Sequence, residues 1–271
     1  MFWRMIGLLL AVAVSTIADA ALAAEARLQS HRAAYVLTLG SAKSSGVSAI
    51  DGVMTIDWQE TCDGWTMSQR MRFQLFDADG EAIESDITFS SWEAFDGTRY
   101  RFTMRSQRDG ETVEELRGRA LIGGPGKGGK AVFTQPADEV LELPPGTLFP
   151  TEHSLLLIDR ARAGDRSFAR AVFDGASVDG AMDVNAVIGP VLAPGEDPTG
   201  PQIARQLLAG ESWRVRLAFF RGDDRGGSEP EYETSMRMYA NGVGTEFLFD
   251  YPEFSIKGRL QRLDAVPAPR C

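Results

Sequence analysis

Within Ile50–Phe76, the residues Trp65, Met67, Gln69, Met71, Phe73 and Leu75 alternate with Thr66, Ser68, Arg70, Arg72 and Gln74. That is the period of two expected of a strand with one packed face and one wet face. The same pattern recurs at Ala33–Leu39, Ile83–Trp92, Arg99–Ser106, Val113–Leu121, Ala131–Thr134 and Val140–Leu143. Asp-Gly pairs punctuate it at Asp51-Gly52, Asp63-Gly64, Asp79-Gly80, Asp96-Gly97 and Asp109-Gly110. Such pairs supply the positive φ of tight hairpins, so the first half reads as an antiparallel meander. They lack the D-x-[DN]-x-[DN]-G order of a calcium loop.

The strand run stops at Leu143-Pro144-Pro145-Gly146. A helix is expected to follow, capped by Thr151, running to Ala163 and ended by Gly164. Strands resume at Phe168–Phe173 and Met182–Ile188, followed by a Pro/Gly-rich loop at Gly189–Gly200. A second short helix is expected at Pro201–Ala209, with Ile203 and Leu207 on one face. Trp213–Phe220, Tyr232–Tyr239, Thr245–Tyr251 and Phe254–Leu263 complete the strands, with Asn241-Gly242 as a hairpin turn. The fold class is therefore all-β, a curled antiparallel sheet, spiral or open and barrel-like, with two short helices. Residues 24–271 form a single domain whose halves, 24–143 and 165–271, are joined by a helical connector at 144–164.

The start of the chain fixes the compartment. Met1-Phe2-Trp3-Arg4, the apolar run Met5–Ile17 and the Ala21-Leu22-Ala23 exit make residues 1–23 a cleaved signal peptide, so the working protein is expected to be exported. No later stretch is apolar for long enough to span a bilayer as a helix. The formal charge is -10 and the leader holds one Arg and one Asp, so cleavage leaves it at -10. Such acidity disfavours nucleic acid and anionic membrane surfaces as partners. The chain has 2 cysteines, Cys62 and the terminal Cys271. In an oxidising compartment their simplest reading is a bond to each other, and the alternative is two free thiols.

Catalytic signals are sparse. Gly124-Pro125-Gly126-Lys127-Gly128-Gly129-Lys130 matches the core of a phosphate-binding loop, but Ala131 follows where Ser or Thr is needed, and a strand replaces the helix. Nucleotide binding is therefore not expected, and neither is any cofactor. His31 and His153 have no second metal ligand at zinc spacing, and G-x-S-x-G is absent. His153 reads as a helix-start residue tied into local hydrogen bonds. Trp58, Trp65, Trp92 and Trp213 are expected in the core, and the arginine rows of the strands on a solvated face.

A joint pattern remains. It comprises Ser45-Gly46-Val47, Gly52, Met54, Trp58, Cys62-Asp63-Gly64-Trp65, Trp92-Glu93, Asp96-Gly97 and Tyr100-Arg101-Phe102. It continues through Leu143-Pro144, Phe149-Pro150-Thr151, His153, Phe173-Asp174-Gly175, Asn241-Gly242-Val243 and Cys271. In these residues the chain resembles the EipB family of periplasmic cell-envelope integrity proteins from alphaproteobacteria. The resemblance spans the mature chain, although the loop at Gly123–Lys130 has no counterpart in it. It implies a β-spiral, a disulfide between Cys62 and Cys271, and a role in keeping the envelope intact under stress without established catalytic activity. The expected partner is a periplasmic protein or envelope component. A carrier of lipid, lipoprotein or peptide in the concave sheet is the alternative.

Overall fold

The computed structural model describes residues 27–43, 46–124, 126–193, 202–222 and 229–271. The leader, Ser45, Pro201 and most of the Gly189–Gly200 loop lie outside them. Among the described residues fourteen strands form one antiparallel sheet. The first half supplies β1 (His31–Ser41), β2 (Val47–Glu60), β3 (Gly64–Asp77), β4 (Ala82–Ala94), β5 (Arg99–Arg108), β6 (Glu111–Ile122), β7 (Gly129–Gln135) and β8 (Glu139–Leu143). Helix α1 (Pro150–Arg162) follows, and then β9 (Ser167–Val172), β10 (Met182–Val191), β11 (Ser212–Arg221), β12 (Tyr232–Tyr239), β13 (Gly244–Asp250) and β14 (Ser255–Ala265).

Each half is a simple meander, and the halves join where the first strand pairs with the last. The order runs from β8 down to β1, then β14 down to β9. Sheets beyond about 10 strands curl or split, because twist accumulates and the apolar face must find cover. Here β8 and β9 remain unpaired with each other, so the sheet curls without closing.

Three turn pairs behave as expected. Gly80, Gly97 and Gly110 have φ of +84°, +64° and +81°. Asp51-Gly52 instead lies inside β2, where a Cβ on Gly52 would meet the β3 backbone at Arg72 and Phe73, so this glycine permits close strand approach rather than a turn. The second helix is shorter than expected, a single 3-10 turn over Arg205–Leu208. Its burial pattern still holds. Leu207 is buried, and Ile203 bridges to Leu263 of β14 in parallel.

The curl encloses three apolar clusters. One gathers Tyr35, Leu37, Met54, Phe73 and Leu260 around the 3-10 turn, with the Tyr35 hydroxyl donating to Gly244 O at 2.8 Å. The second packs Leu157, Ile158 and Ala161 of α1 against Val184, Ala186, Trp213 and Val215. In the third, Tyr100, Phe102, Phe133, Phe149 and Phe173 pack together, Tyr100 stacked on Phe149 with ring centroids 4.9 Å apart and Phe133 and Phe173 meeting their neighbours edge-on. Beside it Gly175 sits at φ +73°, where a Cβ would overlap the Phe102 ring. Gly175→Ala is therefore expected to destabilise by about 2 kcal/mol from overpacking and left-handed strain together, read by chemical denaturation.

Candidate functional site

Helix α1 packs its buried face against β9, β10 and β11. Phe149, fully buried against Tyr100, precedes Pro150 at the first helical position and fixes where the helix begins. The N-cap is Phe149, which offers no side-chain oxygen, so the expected cap at Thr151 is not used. The cap comes from the sheet instead. Glu93 near the end of β4 accepts from Thr151 N–H at 2.8 Å and from Glu152 N–H at 2.9 Å, one with each carboxylate oxygen. Only 3% of Glu93 is exposed. Burial pushes its carboxyl up to about 7, helped by the charge of Glu152 and opposed by the two amide donors.

Sequence periodicity contained a signal for Glu93. Ile87 and Phe89 pack inward, and the same parity carries Glu93 inward and Trp92 outward. Trp92 is thus not in the core. It lies under Arg99 and Arg101, whose guanidinium carbons stand 5.4 and 5.0 Å from its ring. Trp65 and Trp213 are buried as expected, and Trp58 is half-buried against the inner cluster.

His153, one helical turn into α1, faces inward beside Phe168. Its backbone N–H donates to Phe149 O at 2.9 Å, but its side-chain Nε2 is buried without a partner. The expected local hydrogen bonding of this ring is therefore not what holds it; packing is. Burial, with Arg170 nearby, lowers its pKa to about 4, so the ring is neutral. His31 on β1 bonds through Nδ1 to Gln29 O at 2.7 Å and stacks on Trp58. His31, His153 and Trp58 line one small inner cavity of about 160 Å³. Among the described residues no group of three His, Cys, Asp or Glu side chains converges as a metal site.

A larger cleft, about 1070 Å³, opens at the rim beside the start of α1. Asp96, Glu152, Arg170, Asp183, Asn185 and Arg221 give it a polar, mixed-charge lining. The glycine-rich loop forms one wall. Gly124 and Gly126 have positive φ, Gly123 N–H bonds to Gly128 O, and the chain continues into β7, so no helix N-terminus faces the loop.

Cys62, in the turn between β2 and β3, is bonded to Cys271, their Cα atoms 5.7 Å apart. The tail leading to Cys271 is also pinned by Val266 N–H donating to Ser30 O at 3.0 Å. The bond thus ties the end of the chain to an early hairpin next to the β1–β14 seam.

A family model described as EipB-like matches residues 22–267. The chain belongs to the EipB-like family. The cell envelope integrity protein EipB of Brucella abortus (strain 2308) is 32% identical over 253 residues, which cover 91% of this chain and 88% of that protein. A crystal structure from Brucella abortus, described as a beta-barrel-like protein of a domain of unknown function, superposes with a TM-score of 0.79 at 28% identity. It covers 89% of this chain and 100% of that one. The EipB-like resemblance read from Cys62, Trp92-Glu93 and the Phe149–His153 region is thereby established. The connector at 144–164 contains helix α1, and Glu93 caps the start of that helix.

Proposed function

We propose that this is a periplasmic, non-enzymatic protein that supports the integrity of the cell envelope through contact with an envelope partner. The observation that carries the reading is the similarity, over nearly the whole chain, to a relative named for envelope integrity. Compartment is supported by the leader at residues 1–23 and by a disulfide suited to an oxidising space. The non-enzymatic reading rests on that relative's being named for envelope integrity rather than for a reaction.

Deleting the gene and challenging cells with detergent or a cell-wall antibiotic tests the role. Reduced survival, restored by the full-length chain but not by a version lacking residues 1–23, is expected. Unchanged survival would count against the envelope role, and rescue by the leaderless version against the periplasm.

A carrier function is the second reading, favoured by the rim cleft, whose size lies at the top of the usual range for ligand sites, about 300–1,000 Å³. Its charged lining suits a peptide or polar head group better than an acyl chain, and the inner cavity of about 160 Å³ is too small for one. Native mass spectrometry of protein taken from periplasm decides it. A copurifying mass would support the carrier, and bare protein in every preparation would exclude it.

A further inference from the structure

On the outer face of the sheet, basic side chains are generally met by a carboxylate across the strand. Arg70 pairs with Asp86, Arg72 with Glu84, Arg32 with Asp57, Lys130 with Glu142 and Arg216 with Glu233. Among the described residues Lys257 and Arg259 on β14 also lack such a partner, and one further stretch lacks it while setting two arginines face to face. Arg101 on β5 lies directly opposite Arg119 on β6, with Arg117 two residues along the same strand and Trp92 across the other side. No described carboxylate forms an ion pair with Arg101, Arg117 or Arg119. The patch ends at Arg105, which faces Glu115 and donates to Thr112 Oγ1.

Like charges placed directly across a strand pair destabilise a sheet, so this arrangement is costly to a free protein. In a chain of charge -10 with 38 acidic residues, three unneutralised arginines lining one depression together with Trp92 are a local inversion of sign. They border a shallow depression floored by Ser90, Thr103 and Thr134, whose hydroxyls add hydrogen-bonding groups. The ring of Trp92 holds the Arg101 guanidinium from one side, which leaves its N–H edges for an outside acceptor.

We propose that this face docks an extended acidic segment of a partner protein, its carboxylates taken by Arg101, Arg117 and Arg119. Residues two apart on a strand are spaced by about 6.8 Å, the spacing of alternate side chains in an extended peptide, so alternate Glu or Asp residues reach successive arginines. A broad anionic surface is disfavoured because the rest of the molecule is acidic. A short segment meets only the local field, since charges beyond about 8 Å are largely screened. This goes beyond the envelope role and does not depend on it.

The test is binding of a short dye-labelled peptide of alternating Glu and Thr, followed by fluorescence polarisation at low and moderate salt. Saturable, salt-sensitive binding is expected, with no binding of the matching Gln/Thr peptide. Arg101→Glu with Arg119→Glu is expected to weaken it by at least about tenfold, and Arg70→Glu, a paired arginine on the same face, to leave it unchanged. Arg119→Thr is expected to bind less and to melt at the same or a higher temperature, because it removes one of two facing charges.

The proposal is overturned by equal binding of the Gln/Thr peptide, by no binding, or by full binding in the double variant. It is also overturned by a lowered melting temperature of Arg119→Thr, which would make the arginine structural. Binding of the parent to phosphatidylglycerol vesicles but not to the peptide would assign the patch to lipid and overturn it too.

Discussion

Replacing Cys62 by Ser is expected to lower the melting temperature by about 10 °C in non-reducing buffer. The bond closes a loop spanning 209 residues, and in the chain-entropy model such a constraint on the unfolded chain is worth on the order of 4–5 kcal/mol as an upper figure. The location reinforces the effect. The two meanders meet at the β1–β14 seam, and the bond anchors the tail beyond β14 to the turn that follows β2, the neighbour of β1 on its other side. Releasing it frees the end of the strand on which the second half hangs. Scanning calorimetry of Cys62→Ser, and of the parent with and without reductant, checks this. An unshifted midpoint in both would show that the bond contributes nothing to stability.

The second large effect concerns how stability depends on pH. Glu93 has its carboxyl pushed up to about 7 in the folded state from an ordinary value of 4.5. The folded protein therefore holds this proton more tightly, and the stability it contributes is complete below about 4.5 and lost as pH rises through about 7. That contribution is on the order of 3 kcal/mol. His153 runs the other way. Its folded value of about 4 against 6.5 makes its contribution complete above 6.5 and lost as pH falls through about 4, with a similar magnitude on the order of 3 kcal/mol. In the window between, the two slopes oppose each other.

Glu93→Gln is expected to unmask His153, so that stability relative to the parent climbs as pH rises from about 4.5 to about 7. The amide also places a donor against a helix N–H, costing about 1–3 kcal/mol of the cap at any pH. His153→Phe is expected to give the opposite relative slope. Urea denaturation at several pH values reads both. A Glu93→Gln curve parallel to the parent's would mean that Glu93 does not change protonation in this window.

The arginines show where sequence reading stops. From the chain alone, Arg70, Arg72, Arg101 and Arg119 are alike, wet-face residues alternating with apolar ones. Register separates them, because it sets Asp86 opposite Arg72 and near Arg70, but Arg119 opposite Arg101. The same holds at the helix. The prolines and Gly164 marked its limits, and Gly164 does carry φ +82° at its end. The carboxylate that caps it comes from Glu93, separated from Thr151 by 58 positions.

The sequence by itself determined the strands, the face each residue takes, most of the turns and the two cysteines free to pair, because these depend on periods of two and on the local φ of glycine. Only the tertiary structure decided the seam between β1 and β14, the Glu93 cap and the unpaired arginines. Each of those depends on which distant strand lies alongside, and that choice is made by burying the inner face of a sheet too long to stay flat.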